Sequence, residues 1–182
     1  MLYFVTENKS KFDNANIVLK KYGLQLSQKT LPVVEIQSHS LEDIAKYKAK
    51  QAYEHVKKPI VVKDDGWYFT ALNGFPGSYM RYMNEWLSAK DLLRLLKPYK
   101  NTEIIFRDAL CYRDEKREKV FTGIIKGHFI TKPQGKGVSS AQICTFRKDG
   151  KTMAQCINEG IHFADTESSV WNEFAQWFAT KK

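Results

Sequence analysis

The sequence predicts an α/β protein built on one mixed β-sheet with flanking helices. Three observations carry that prediction. In the first part of the chain, short apolar runs of β-formers alternate with stretches of helical spacing. From residue 102 on, strand-like runs follow one another across connections too short for crossover helices, so these strands are expected to be antiparallel or mixed. Finally, 182 residues with 43% hydrophobic and 27% charged side chains is the mix of a soluble globular protein. That length buries one core, either as one compact sheet or as a sheet with a second lobe folded around a cleft, and residues 1–182 are taken as a single bilobal domain.

Leu2–Thr6 is a run of β-formers ending at polar Glu7-Asn8-Lys9-Ser10. Phe12, Ala15, Ile17, Val18 and Leu19 then take up helical spacing, and Gly23 ends that helix. Leu31–Ile36 reads as the second strand. Ser40, with Asp43 three residues on, is an approximate capping box that opens a helix over 41–56, with Leu41, Ile44, Ala45, Ala49 and Ala52 on one face. Pro59 ends it. Ile60-Val61-Val62 is a continuous apolar run, as in a buried central strand, and delivers Lys63-Asp64-Asp65-Gly66 into a loop. Asn73-Gly74-Phe75-Pro76-Gly77 is dense in turn formers. A helix over 84–98 carries Trp86, Leu87, Leu92, Leu93, Leu95 and Leu96 and closes at Pro98. Strands are predicted at 102–112, 120–130 and 140–146, with Asp114–Glu118 as a hairpin turn between the first two. Val170, Trp171, Phe174, Trp177 and Phe178 mark a docked helix over 168–178.

The formal charge of +9 suggests a polyanionic partner, which nucleic acid and a nucleoside triphosphate both satisfy; scattered solvating lysines explain it equally well. Zinc-finger and RNP signatures are absent from the sequence, as is any basic-aromatic stripe, which argues against nucleic acid. Cys111, Cys144 and Cys156 have neither zinc-ligand nor disulfide-framework spacing. The first residues lack a signal-peptide pattern and no apolar run is long enough to span a bilayer, so a reducing, cytoplasmic setting without membrane attachment is expected.

Three groups of residues offer chemistry. Thr6, Asn8, Lys9 and Lys11 lie where a strand meets a helix N-terminus, and that position favours an anion. A solvated polar loop is the plainer alternative. Glu35 and Asp64-Asp65 stand at predicted strand ends, where carboxylates converge on the ligand crevice of α/β sheets; their hard oxygens suit Mg²⁺, or Mn²⁺, and a spare carboxylate can activate water. A surface acid and a tight turn explain them as well. Phe75 and Tyr79, in a Gly/Pro-fixed loop, offer rings that can stack on a base, or they shape a turn.

In order and spacing, these groups resemble the inosine triphosphate pyrophosphatase family. The resemblance runs through Phe4–Lys11, then Val33–Ser38 ahead of a Lys/Ala-rich helix, then Val61–Tyr79, and more weakly on to residue 155. It implies an elongated mixed-sheet α/β fold with two lobes around a central cleft, a homodimer, and Mg²⁺-dependent hydrolysis of a nucleoside triphosphate to monophosphate and pyrophosphate. It also implies phosphate binding by Asn8 and Lys11, metal binding by Glu35, and water activation by Asp64. A catalytically silent relative, binding nucleotide or protein through the same residues, is the other function the sequence admits.

Departures from the family pattern bear on specificity. Glu7 stands where the family has Gly, and Lys63 replaces an acid beside Asp64, with Asp65 as a candidate to restore the lost charge as a metal ligand. Gln142 lies where a base-holding Asp is usual, and residues 161–169 lack the usual Ser-His-Arg, leaving Asp165 and Glu167 as acceptors. A site of polar donors and acceptors discriminates strongly, so these changes predict an altered base preference.

Overall fold

In a computed structural model, the structure describes residues 1–162 and 170–180. The chain forms two compact units. The first holds Met1–Asp65, Asp108–Gly123 and the C-terminal helix; the second holds Gly66–Arg107 and the chain from Ile124 through α5.

In the first unit, β1 (Leu2–Val5) lies parallel to β2 (Leu26–Lys29) on one side and to the start of β3 (Ile60–Phe69) on the other. The far halves of β5 (Glu103–Arg113) and β6 (Glu118–Phe129) continue the strand order β2-β1-β3-β5-β6. Asp114 sets the turn between those two strands, its Oδ1 accepting from the backbone N–H groups of Lys116 and Arg117 at 2.8 and 2.7 Å. Helix α1 (Lys9–Lys20) ends where Leu24 N–H reaches Leu19 O and Gly23 N–H reaches Lys20 O, a pairing that needs the left-handed φ of +65° found at Gly23. Helix α2 (Leu41–Val56) has the predicted bounds and buries the predicted face. Helix α6 (Val170–Ala179) packs on α1 and sets Trp171 edge-on to Phe4, ring centroids 5.0 Å apart. Phe4 and Phe174 are fully buried, and each such side chain contributes roughly 2–3 kcal/mol.

The second unit takes the remaining halves of β3, β5 and β6. It adds β4 (Pro76–Gly77), antiparallel to β3, and β7 (Cys144–Thr145), antiparallel to β6. Helices α3 (Met80–Trp86), α4 (Ala89–Leu96) and α5 (Met153–Asn158) complete it. Phe69, Leu92, Leu96, Ile104, Phe106, Phe129 and Ile143 form its core.

Several expectations are corrected. The second strand is Leu26–Lys29, and residues 31–36 form no strand: Pro32 has no N–H to offer a ladder, and this segment is held by a side chain instead. Lys63–Gly66 is strand, not loop, because β3 runs on to pair with β4. The helix over 84–98 is two helices, broken where the Ser88–Asp91 capping box starts α4. The strand over 140–146 shrinks to Cys144–Thr145, since Ser140 O accepts from Ile143 and Cys144 in a turn. Helix α5, opened by the Thr152–Gln155 capping box, was not anticipated. Among the described residues, no helix is long and apolar enough to cross a membrane.

Candidate functional site

Most of the candidate residues gather in the first unit, around the N-terminus of α1 and the middle of β3. Asn8 caps α1, its Oδ1 accepting from Lys11 N–H at 3.0 Å, and Thr6 Oγ1 accepts from Asn8 N–H at 3.1 Å. The loop is thereby ordered with its free helix N–H groups at the tip. Lys9 is exposed and pairs with Asp13 of its own helix at 2.9 Å. Lys11 turns inward and reaches Asp65 at 2.8 Å. Burial acts to lower the Lys11 pKa, but Asp65, Asp64 and Glu35 outweigh it and the ammonium is held above its ordinary value.

Adjacent residues of a strand face opposite ways, and the two aspartates of β3 have different partners. Asp64 faces Lys48 of α2, at 3.5 Å, and the same Nζ lies 2.6 Å from Glu35 Oε1. Asp64 Oδ1 also accepts from Asp65 N–H at 2.9 Å, which fixes the carboxylate's orientation. Glu35 comes from the extended segment after β2, where Gln51 clamps Val34: its Oε1 accepts from Val34 N–H at 3.1 Å and its Nε2 donates to Val34 O at 2.9 Å. A side-chain amide thus replaces the neighbouring strand that the sequence led us to expect.

Asp65 belongs to a second cluster. Lys63 Nζ lies 3.4 Å from Asp65 Oδ2 and 2.9 Å from Asp108 Oδ2. Burial alone would raise the Asp65 pKa; Lys11 and then Lys63 hold it well below the carboxylate range. Asp108 is only 5% exposed, and burial raises its pKa despite Lys63. Asp65 is thus engaged by two ammonium groups, Lys11 and Lys63, while Glu35 and Asp64 share Lys48.

Glu35 and Asp64 fit a divalent cation. Mg²⁺ takes one or two protein carboxylates and completes its shell with water and substrate phosphate, and this pair converges on a single cationic group while Glu35 remains open to solvent.

Lys48 and Asp108 escaped sequence reasoning, although each left a signal. Lys48 falls on the apolar face of α2, four residues after Ile44 and before Ala52. Asp108 occupies an inward position in step with Ile104, Phe106 and Leu110 of β5.

Phe75, Tyr79 and Gln142 lie in the second unit. Phe75 is half exposed, ahead of a cis bond to Pro76, and Tyr79 precedes α3. Gln142 donates from Nε2 to Gly137 O at 2.7 Å and lines a cavity of about 520 Å³ with Asn84, Ser88 and Ser139, which Phe75 and Tyr79 do not line. Of the expected departures over 161–169, residues 163–169, with Asp165 and Glu167, lie outside the described residues.

Fold and site define a mixed-sheet α/β protein that gathers lysines and carboxylates where a helix N-terminus and a sheet strand meet. The chain belongs to the Ham1 family, whose profile matches residues 2–160. It is 31% identical to a dITP/XTP pyrophosphatase of Methanopyrus kandleri, over 96% of this chain and 94% of that one. It is 29% identical to another of that name from Hyperthermus butylicus, over 97% and 94%. The solved Ham1 protein of Staphylococcus aureus superposes with a TM-score of 0.78 over all of both chains at 22% identity, a likeness of fold.

Proposed function

We propose that this protein hydrolyses the α–β anhydride of a nucleoside triphosphate, using water to give a nucleoside monophosphate and pyrophosphate. The observation that carries this is the convergence of Lys11, Lys48, Glu35 and Asp64 in a chain related along nearly its whole length to proteins named dITP/XTP pyrophosphatases. Lys11 and the N–H groups at the start of α1 bind the phosphates, with Asn8 ordering that turn. Asp64, oriented by Asp65 N–H, accepts a proton from the attacking water. Lys48 bridges Glu35 and Asp64 and offers its charge to a phosphate oxygen of the substrate. Glu35 and Asp64 would hold Mg²⁺ or Mn²⁺, which would neutralise charge on the phosphates.

A neutral amide at Gln142, already committed to Gly137, supports an altered base preference, and a homodimer belongs to the same proposal. The test is pyrophosphate release from a panel of standard, inosine and xanthosine triphosphates with Mg²⁺ or Mn²⁺. Asp64→Asn is expected to lose roughly 10²–10⁴-fold in rate while retaining nucleotide binding. Binding without pyrophosphate release from any substrate would leave the silent relative as the correct reading.

A further inference from the structure

We infer that Asp65 and Asp108 form a second cation seat, and that the chain fills it permanently with its own Lys63 ammonium. Carboxylates from neighbouring strands β3 and β5 converge on one Nζ, at 3.4 and 2.9 Å. That is how hard oxygen ligands surround a small cation, here with an ammonium at the centre. The seat has donor capacity the ammonium leaves unused: Asp108 Oδ1 is buried and has no hydrogen-bond partner. A buried carboxylate in that state gains from a cation that can engage both oxygens.

Asp108 Oδ1 packs against the bare backbone of Gly123. A Cβ on Gly123 would stand 2.4 Å from that same Oδ1 and 3.0 Å from Val170 Cγ1, so only glycine lets Asp108 occupy its position. Charge counting agrees. Lys11, Asp65, Lys63 and Asp108 alternate in sign and sum to zero, so the cluster is neutral without any bound ion. Removing Lys63 alone leaves two carboxylates against Lys11, a net negative pocket that would recruit a divalent ion. In the native chain, Lys11 is consequently held in place by Asp65 whether or not metal is present.

The inference extends the reading of Glu35 and Asp64 as a metal seat, but its test is the difference between variant and parent. Mn²⁺ binding is titrated by calorimetry and by loss of the free-ion electron paramagnetic resonance signal, in the parent, Lys63→Met and Lys63→Met/Asp108→Asn chains. Lys63→Met is expected to bind one more ion per chain than the parent, and the double variant to return to the parent's count. Saturating Mn²⁺ is expected to raise the Tm of Lys63→Met by about 4 °C more than it raises the parent's. Lys63→Gln, which keeps a donor facing both carboxylates, carries the same test if Lys63→Met does not fold.

An unchanged ion count in the folded Lys63 variants overturns the inference. So does an extra ion that survives Asp108→Asn. A parent that binds no Mn²⁺ counts against the Glu35–Asp64 seat alone, because the gain on removing Lys63 is read from the variants.

Discussion

Asp65 contributes stability to the first unit that acid removes. Burial alone would raise its pKa, yet Lys11 and Lys63 depress it. An acid whose folded pKa is depressed adds stability that is complete above its unfolded pKa, about 3.9, and is lost as pH falls toward the folded value. Asp65→Asn should therefore be less stable than the parent near neutrality, by roughly 2 kcal/mol for a partly exposed pair, and the gap should start to close as pH falls through about 4 and shrink further in stronger acid. A constant gap from pH 7 to strong acid would contradict this. Asp108 acts in the opposite sense: burial raises its pKa, so the stability it withholds when ionised is regained as pH falls through that value. At this scale the sequence singled out Asn8, Lys11, Glu35 and Asp64, because polar groups at strand and helix ends are conspicuous, and the fold gathers Lys11, Glu35 and Asp64 within electrostatic reach of one another. It could not reveal partners. Lys48 with Glu35, and Lys63 with Asp108, are separated along the chain and meet only through the packing of α2 and the pairing order of the strands.

Elements with punctuation at both ends were legible. Helix α2 lies between Ser40, whose side chain accepts from Asp43 N–H, and Pro59, and its bounds follow from those two residues. Strand β2 was missed because it is an edge strand with Leu26 as its sole buried residue, while the more strand-like Leu31–Ile36 lacks a backbone neighbour. The split between α3 and α4 was written in Ser88-x-x-Asp91, but the leucine spacing that runs through it is the stronger pattern. Strand β3 continues past Asp65 because Gly66 admits β4: a Cβ there would stand 2.6 Å from Gly77 O. Gly66→Ala is thus expected to lower unfolding free energy by about 2 kcal/mol in urea titration, through displaced backbone in place of any lost side chain. Stability equal to the parent's would show that β4 is free to move away.

The whole molecule keeps its thiols covered. Cys111 lies in the first unit, Cys144 and Cys156 in the second, and all three are buried; burial pushes the Cys111 thiol up to about 12. A thiolate-seeking reagent should label none of them in the native protein at the rate of a free cysteine. With rising urea, site-resolved mass spectrometry should find Cys111 and the other two becoming reactive over one range of concentration. Separate ranges would mean that the units unfold independently. The reason to expect one range is the path of the chain, which passes from one unit to the other at Asp65–Gly66, Arg107–Asp108 and Gly123–Ile124, and again between α5 and α6. Three strands are each shared at their midpoints in this way. Trimming a gene from either end therefore yields neither unit, and the two can only be inherited, duplicated or lost together. A viable split falls in the Asp114–Arg117 turn, where each fragment carries part of both units and must find the other to fold.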